Sequence, residues 1–471
     1  MNSATVDKPP VRHVDPQRLL YTLMVPAVIM PLAGWMFSVS LPIIKADFQI
    51  PADVAAWIVT TFSLPFMILM PVYGRVSDGL GKRRLLLFGI SVFAIGGLVA
   101  FFSTDMRILL IGRFIQGVGA SSLVPLSLAL ISEVFPAEKR GKAMGLWSTV
   151  GPLTGVAGPV LAGFIVARWG WRAGFLPSVM MSILALVVVY YFIPSSGRSI
   201  SFSYLKSFDW GGVVLLALTL TFLLFYLSSR PITGVAPLQD WRLLGLMLIF
   251  AAAFVAYENR KPDPFIKLAI LNNRSLVVGS ACACLRMMSL SGGFSFLLPL
   301  YLSQVTGLTP TQYGFYLMLN PAAMVAFVRF GGGVADRLGS RKIVMTGFGI
   351  FAVVMFTLSR LPADAPPVFM WAALTFFGVG AGLMLAALHR AALNGIPDED
   401  LGTSSGIYSM IRFLGSALGA AVAGILLQAN FDKFGLDVLP AYQTVFLWFF
   451  GFALFGVFVA NFLPRKATLE L

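Results

Sequence analysis

The chain has 471 residues, of which 58% are hydrophobic and only 11% charged. Soluble domains carry about 25% charged residues, so this composition excludes an ordinary soluble protein and predicts an integral membrane protein. The formal net charge of +14 would suggest nucleic-acid binding in a soluble protein. We expect no nucleic-acid partner here, because loops of multi-span membrane proteins collect lysine and arginine on the cytoplasmic side.

Metal and disulfide chemistry has almost no residues to use in this chain. The two cysteines are Cys282 and Cys284, and the two histidines are His13 and His389. Side chains two residues apart on a helix point in nearly opposite directions, so the cysteines do not form a pair. We therefore expect no disulfide, no metal and no cofactor.

Apolar runs bounded by charges, proline or glycine predict fourteen membrane-spanning helices, since each crossing needs about 20 mostly apolar residues. The first segment is polar, and the long apolar run behind it lacks a signal-peptide cleavage site. We therefore expect 1–18 to be a cytoplasmic tail. The predicted spans are 19–44, 54–73, 85–104, 108–134, 143–167, 173–193, 210–228, 241–257, 275–302, 312–330, 343–359, 366–394, 402–428 and 441–463.

The loop charges predict the orientation of the chain. Lysines and arginines lie mainly in the tails and in the alternate loops on the same side, and fewer lie in the opposite loops. This bias places both termini in the cytoplasm. Short tails favour a multi-pass protein of a bacterial inner membrane.

A charged segment between the second and third spans has a weaker copy later in the chain. The segment is "GRVSDGLGKRR" at 74–84, and the copy is "GGGVADRLGSRK" at 331–342. The repeat predicts an all-α fold of two six-helix bundles around an inserted hairpin, a plan of secondary transporters that rock around a central site. The predicted parts are the bundles 19–193 and 275–463, the linker 194–208, the hairpin 209–258 and the C-terminal tail 464–471.

The first charged segment predicts a latch at the cytoplasmic face. Gly74 and Gly81 permit a tight turn, and Arg83 belongs to the basic cluster that follows it. Asp78 is placed to approach the positive amino end of the thirteenth span, near Gly402. The alternative is a solvated basic loop that only sets the topology.

The second charged segment predicts the matching half of this latch. Gly332, Asp336 and Gly339 repeat the spacing of the first glycine, aspartate and glycine. By symmetry, Asp336 would meet the start of the fifth span, near Lys142. Topology alone requires neither the aspartate nor its repetition.

Several segments resemble the major facilitator superfamily. "GRVSDGLGKRR" resembles its loop signature between the second and third helices, "GRFIQGVGASSLVP" at 112–125 its fourth-helix motif, and "GPLTGVAGPVLAG" at 151–163 the fifth-helix motif of antiporters. The inserted hairpin and three further stretches resemble the fourteen-span drug/proton antiporter branch. These stretches are "DWGG" at 209–212, "PDPFIKLAILNNR" at 262–274 and "RFLGSALG" at 412–419.

Arg113 lies inside the fourth predicted span, where an insertion scale assigns a central charge a cost of about 2.5 to 3.5 kcal/mol. The resemblance implies that Arg113 takes part in proton transfer, with Gln116 in the same polar network. The alternative is an arginine that binds a backbone carbonyl or extends toward the interface.

The fifth predicted span carries a stripe of small residues that allows a neighbouring helix to approach closely. Its prolines remove amide donors and can bend the helix. The resemblance favours a conformational role over simple tight packing. The residues of this motif are Gly151, Pro152, Gly155, Gly158, Pro159 and Gly163.

The first span departs from the family pattern. The drug/proton antiporter branch usually has an acid nine residues before the proline of this span, and here Ala33 stands nine residues before Pro42. A proton antiporter needs a group that binds and releases a proton. The deepest acids in the sequence are Asp53 and Glu133, so these are the candidates, together with Asp78 of the latch.

Three aromatic residues, Trp35, Phe37 and Trp57, are candidates for contact with substrate. Arg286, near the middle of the ninth span, and its neighbour Met287 suggest a site for an anionic head group beside an apolar body. The alternative for this arginine is a bond to a helix carbonyl. Arg412 matches a family position and is a further candidate for contact with substrate. The alternative for Arg412 is packing at the interface between the two halves.

Two transport functions follow from these observations. The resemblance implies proton-coupled export of small lipophilic or amphipathic molecules, with protons and membrane lipids as partners and a periplasmic adaptor left open. The alternative is a dedicated exporter or flippase of a lipid-like anion without ordinary proton antiport. An enzyme is disfavoured, because histidines and buried acids are scarce.

Overall fold

The structure is a computed structural model that describes residues 15–194, 208–262, 264–435 and 437–464. Most of the predicted linker and most of both tails lie outside these ranges. The description also leaves out the side chains at positions 78, 137, 138, 231, 336, 398, 399, 401 and 402.

The described chain contains 13 helices long and apolar enough to cross a membrane, and a shorter apolar helix, Leu176–Phe192. They confirm the fourteen predicted spans, and the described ranges contain no strand. The helices are α1 (Pro16–Ala27 and Ile29–Asp47), α2 (Ala52–Leu80), α3 (Lys82–Phe101), α4 (Met106–Ala120 and Leu123–Val134), α5 (Ala137–Ser148 and Val150–Ala173), α6 (Leu176–Phe192), α7 (Trp210–Leu227), α8 (Trp241–Glu258), α9 (Arg274–Gln304), α10 (Pro310–Leu317 and Leu319–Leu338), α11 (Ser340–Arg360), α12 (Pro367–Leu393), α13 (Asp398–Phe434) and α14 (Val438–Ala460).

The first six helices pack mainly with one another, and so do the last six. Between the two groups, α2 runs along α13 and α5 runs along α10. Each contact joins the second helix of one group to the fifth helix of the other, which gives the interface a two-fold pattern. We call the side where α1 begins and α14 ends the terminal face, and the opposite side the distal face.

The α7–α8 hairpin covers the outer side of the α2–α13 contact. Val213 and Leu216 of α7 belong to one buried apolar cluster with Met67 of α2 and Ile407 of α13. Aliphatic side chains on three helices therefore join the hairpin to both groups of six.

Glycines allow several helices to touch through their backbones. A Cβ atom added at Gly119 of α4 would lie 2.4 Å from the backbone nitrogen of Phe93 on α3. One added at Gly415 of α13 would lie 2.1 Å from the carbonyl oxygen of Cys284 on α9. Both distances are far below van der Waals contact, so only glycine fits at these crossings.

The two charged segments turn later in the chain than the sequence predicts. Gly74 and Gly332 lie inside helices, because α2 continues to Leu80 and α10 to Leu338. The reversals occur only at Gly81 and Gly339, whose φ values of 88° and 85° are in the region that favours glycine. The prediction that Gly74 takes part in the tight turn is therefore wrong.

Candidate functional site

The two groups of six helices are joined by hydrogen bonds toward the distal face. Tyr313 of α10 donates its hydroxyl hydrogen to the Val39 carbonyl at 2.6 Å, and Ser38 of α1 donates to the Ser295 carbonyl at 2.7 Å. Two more hydrogen bonds between the two groups are present among the described residues. They run from the Ala52 amide to Gln428 Oε1 and from Thr311 to the Gly163 carbonyl. Described side chains thus close the interface at its distal end.

The glycine stripe of α5 contacts both α1 and α10. A Cβ atom at Gly155 would lie 2.8 Å from Pro321, one at Gly158 2.9 Å from Trp35, and one at Gly163 2.6 Å from the Pro310 carbonyl oxygen. Glycine is therefore required where α5 crosses the interface. Gly151 lies in a more open position, since its nearest such atom is 3.9 Å away.

The two prolines of α5 lie at different positions in the helix. The second segment of α5 begins at Val150, so Pro152 lies in its first turn, where a missing amide donor costs little. Pro159 is inside the helix, but the non-helical residue within the segment is Gly170. The interruption of α5 at Thr149 lies between Pro152 and residue 148, whose carbonyl Pro152 cannot bind, so a bend caused by Pro152 stays a prediction.

Arg113 is buried where α1, α2 and α4 meet, with only 3% of its surface exposed. Its Nε donates to the Ile58 carbonyl at 3.2 Å, and Nη1 donates to Gln116 Oε1 at 3.1 Å. The guanidinium also lies over the rings of Phe37 and Phe62, at 4.8 and 4.4 Å. Its described partners are a carbonyl, an amide and two aromatic faces, so the charge is stabilised by dipoles and ring quadrupoles.

The candidate substrate-contacting aromatics occupy three different places. Trp35 lies at the interface, between the α5 glycines and Phe294 of α9, whose ring centroid is 6.1 Å away. Phe37 is under Arg113. Trp57 packs 5.4 Å from Phe225 of α7, so it contacts the hairpin. One helix, α2, offers one face to α4 and another to α7, which sequence alone does not distinguish.

An ion-pair network at the distal face links three parts of the molecule, and we call it the distal clasp. Arg230, between α7 and α8, lies 3.8 Å from Asp53 Oδ2 on α2 and 3.3 Å from Asp432 Oδ2 on α13. Gln428 donates to Asp432 at 2.8 Å and accepts the Ala52 amide at 2.9 Å. Only 1% of the Asp53 side chain is exposed, and its Oδ2 has no hydrogen-bond donor among the described residues. The clasp thus holds a buried carboxylate between the bundles.

Glu133 does not share this burial. Its side chain is 49% exposed and pairs with Lys82 at the terminal face. The prediction that Glu133 is among the deepest acids is wrong, because α4 ends one residue later and its last turn faces outward.

Sequence reasoning missed three buried acids around the hairpin. Asp209 accepts the amides of Gly212 and Phe265, Glu258 accepts the amide of Ile266, and Asp240 caps α8. The signal was present in "DWGG" and "PDPFIKL", since the acid of the first motif binds the backbone of the second. Asp209 and Glu258 therefore hold the hairpin to the segment before α9.

Asp240 also forms an ion pair within the hairpin. Arg242 donates to it through Nε at 3.0 Å and through Nη2 at 3.1 Å. These side-chain hydrogen bonds lower the pKa of Asp240 to about 2. The pair therefore stays charged at neutral and mildly acidic pH.

The latch residues are only partly described. Asp78 and Asp336 lie on the last turns of α2 and α10, and their side chains are outside the description. Arg83 donates to the Tyr190 carbonyl at 2.5 Å and lies 5.3 Å from the Tyr190 ring. It therefore ties α3 to α6 within one bundle, and its part in the latch stays a prediction.

Arg286 and Arg412 come together on α9 and α13. Arg286 is 3% exposed and donates Nη2 to the Ala381 carbonyl of α12 at 3.0 Å. Arg412 lies 4.4 Å from the Phe413 ring. The neighbour Met287 is half-buried. The predicted carbonyl bond of Arg286 is present, but its Nε and that of Arg412 are buried without hydrogen-bond acceptors among the described residues.

We predict that Arg113→Lys lowers the free energy of unfolding by about 2 kcal/mol, because lysine cannot reproduce two directed hydrogen bonds between stacked rings. Thermal unfolding of the purified protein measures this change. Arg107→Lys, an exposed position on the same helix, is the control and leaves the midpoint unchanged. Equal midpoints for both variants would contradict the role of Arg113 as a clamp.

Comparison with known proteins places the chain in a family. The model of the major facilitator superfamily matches residues 23–420 and 276–470. A riboflavin transporter, RibZ of Clostridioides difficile (strain 630), is 29% identical over 394 residues, 83% of either chain. Multidrug resistance protein 3 of Bacillus subtilis (strain 168) is 29% identical over 80% of this chain and 73% of its own. The tetracenomycin C resistance and export protein of Streptomyces glaucescens is 26% identical over 93% of this chain and 82% of its own.

Solved structures share the fold at much lower identity. The human organic anion transporter MFSD10 (TETRAN) superposes with a TM-score of 0.62 at 17% identity, over 94% of this chain and 99% of the other. A mutant of the peptide transporter POT in complex with sulfate gives a TM-score of 0.68 at 13% identity, over 94% of this chain and 95% of the other. The protein is a multi-pass membrane transporter of the major facilitator superfamily.

Proposed function

We propose that the protein exports hydrophobic or amphipathic small molecules by alternating access, driven by proton antiport. The observation that carries this proposal is the two-fold interface, in which α2–α13 and α5–α10 join the bundles while the described interbundle hydrogen bonds lie toward the distal face. An interface tied at one end is suited to rocking. Relatives named for multidrug resistance and for export of tetracenomycin C support this substrate class.

The terminal face would be cytoplasmic in this mechanism. The loop charges favour that orientation, and the bacterial relatives favour a bacterial cell membrane. The described structure then corresponds to a state closed toward the outside. Substrate would enter from the cytoplasm or the inner leaflet, and lipids would surround the exposed aromatic side chains. Delivery to a periplasmic adaptor is compatible with this direction of export.

Asp53 is the carboxylate best placed for proton coupling. Closing the distal face buries it, and a buried carboxylate is costly unless it is paired or protonated. Arg230 provides a partner at 3.8 Å without a hydrogen bond, so the pair is loose and protonation is the other way to bury the acid. Distal closure would therefore be linked to proton uptake from the outside. Arg113 and Gln116 would tune this step from the neighbouring helix.

We expect reconstituted protein to accumulate a lipophilic cationic dye when a pH gradient is imposed, and Asp53→Asn to remove the pH dependence because it cannot bind the proton. Glu133→Gln, which alters an exposed acid, is the control and keeps it. Dye uptake into proteoliposomes measures both. Failure of the wild type with a broad panel, together with movement of a fatty acid or lysolipid, would support the alternative exporter of lipid-like anions.

Removing Arg230 from the distal clasp should open the distal face more often. We expect Arg230→Ala to speed thiol labelling of a Ser38→Cys variant about fivefold, as expected for a shift of about 1 kcal/mol. Ser38 suits this measurement because it is buried at the distal interface. Arg242→Ala is the matched control, since that arginine pairs within the hairpin. Equal labelling rates in both backgrounds would show that the clasp does not restrain opening.

The charged segments at the terminal face would form the opposing latch. Asp78 at the end of α2 would bind the amino end of α13, and Asp336 the amino end of α5, since a helix amino terminus favours negative charge. We expect Asp78→Asn to leave the protein folded and to lower transport. The same variant should increase labelling of cysteines placed on the terminal face. Unchanged transport and labelling would leave these segments with a topological role alone.

A further inference from the structure

Arg286, His389, Tyr408 and Arg412 form a group that we call the arginine pocket. Close backbone contact between α9 and α13 at Gly415 brings the two arginines together. They lie within electrostatic reach of each other and of Tyr408. Arg286 lies twelve residues into α9, or about 18 Å along the helix, so the pocket is near the middle of the membrane.

The two charges in this pocket lack a counter-ion among the described residues. The only described hydrogen bond from either guanidinium is the one from Arg286 to the Ala381 carbonyl, and both Nε atoms are buried without acceptors. No described carboxylate pairs with either arginine. Two like charges repel each other, and the buried Arg286 and the half-buried Arg412 have lost much of their hydration, which is unfavourable. An anion between them would remove both penalties.

One residue of the arginine pocket reaches the protein surface. His389, on the last turns of α12, is exposed, and its ring packs edge-on against Tyr408 at 4.9 Å. Tyr408 itself is only 2% exposed. His389 therefore places the edge of the arginine pocket at the surface, toward the terminal face.

The surroundings indicate the kind of anion. The planar guanidinium group fits a carboxylate or sulfonate through paired hydrogen bonds. The walls around Tyr408 are apolar, with Leu276, Ala283 and Ala392 buried beside it. Met287 and Phe413 are the adjacent residues in the sequence and are suited to a ring or an alkyl chain. An organic monoanion satisfies both parts of the pocket.

We propose that the arginine pocket binds the head group of amphipathic organic monoanions that enter from the terminal face. This inference rests on the proposed export function and extends its substrates to anions. Arg286 and Arg412 contact the carboxylate or sulfonate, Tyr408 packs beside it, and His389 lies at the surface edge.

Binding of a matched pair of compounds to the purified protein tests this assignment. We expect 2-naphthoate to raise the unfolding temperature and the uncharged 2-naphthamide to have little effect. The same measurement with dodecanoate and dodecanamide tests a lipid-like anion. Comparison of the two pairs distinguishes membrane-derived from water-soluble anions. Equal effects of acid and amide in both pairs would overturn the proposal.

Variants then assign the binding to this pocket. Arg286→Gln and Arg412→Gln should each weaken naphthoate binding at least about tenfold, whereas Arg274→Gln at the exposed start of α9 should not. Unchanged affinity in both pocket variants would overturn the assignment. Dye uptake by the wild type is measured separately, so failure of the export proposal is distinguishable from failure of anion binding.

Arg412→Met separates a binding role from a structural one. If the charge serves a ligand, removing it leaves the ligand-free protein at least as stable, because an unpaired buried charge is lost. The same variant should lose the stabilisation by naphthoate. Lower stability of the free protein with intact naphthoate binding would mean that Arg412 is structural, and the proposal would be wrong.

Discussion

Backbone contact between helices at glycine positions determines how the two bundles meet. In hydrocarbon there is no hydrophobic force between helices, so close packing of small residues and interhelical hydrogen bonds must hold them together. The glycines of α5 let α1 and α10 approach, and Gly424 of α13 does the same for α2, where an added Cβ would lie 2.7 Å from the Ala52 carbonyl oxygen. A smooth, backbone-level interface with few directional bonds can separate at one end without unpacking the helices.

The hydrocarbon interior of the bilayer also explains where charged residues lie in this protein. Described carboxylates lie at helix ends or in turns, while the charges in the middle are arginines. Arg113 and the arginine pocket solve the problem of burial differently. The first has a carbonyl, an amide and two rings as partners, and the second has too few described acceptors for two guanidinium groups. The first charge is therefore satisfied within the protein, whereas the second pair has buried donors without described acceptors.

The helices and the repeated segments could be predicted from the sequence, because length and hydropathy almost determine a membrane span. The contacts of individual residues depend on neighbours that the sequence pattern does not identify. Gly74 is helical because α2 extends past the apolar run, Arg83 finds an acceptor on α6, and Trp57 meets the hairpin. Asp53 and Glu133 look alike in sequence, yet only the first is covered by another helix. Partners from distant segments decide these roles.

The hairpin gives the transporter two unequal sides. Its apolar side chains cover the α2–α13 seam, whereas Leu161 and Phe164 of α5 and Phe315 of α10 are exposed along the other seam. The rings of Phe164 and Phe315 are in edge contact at 6.0 Å. A lipid-soluble molecule that slips sideways out of the bilayer therefore meets a shielded flank on one side. On the other side it meets the α5–α10 seam, bordered directly by acyl chains.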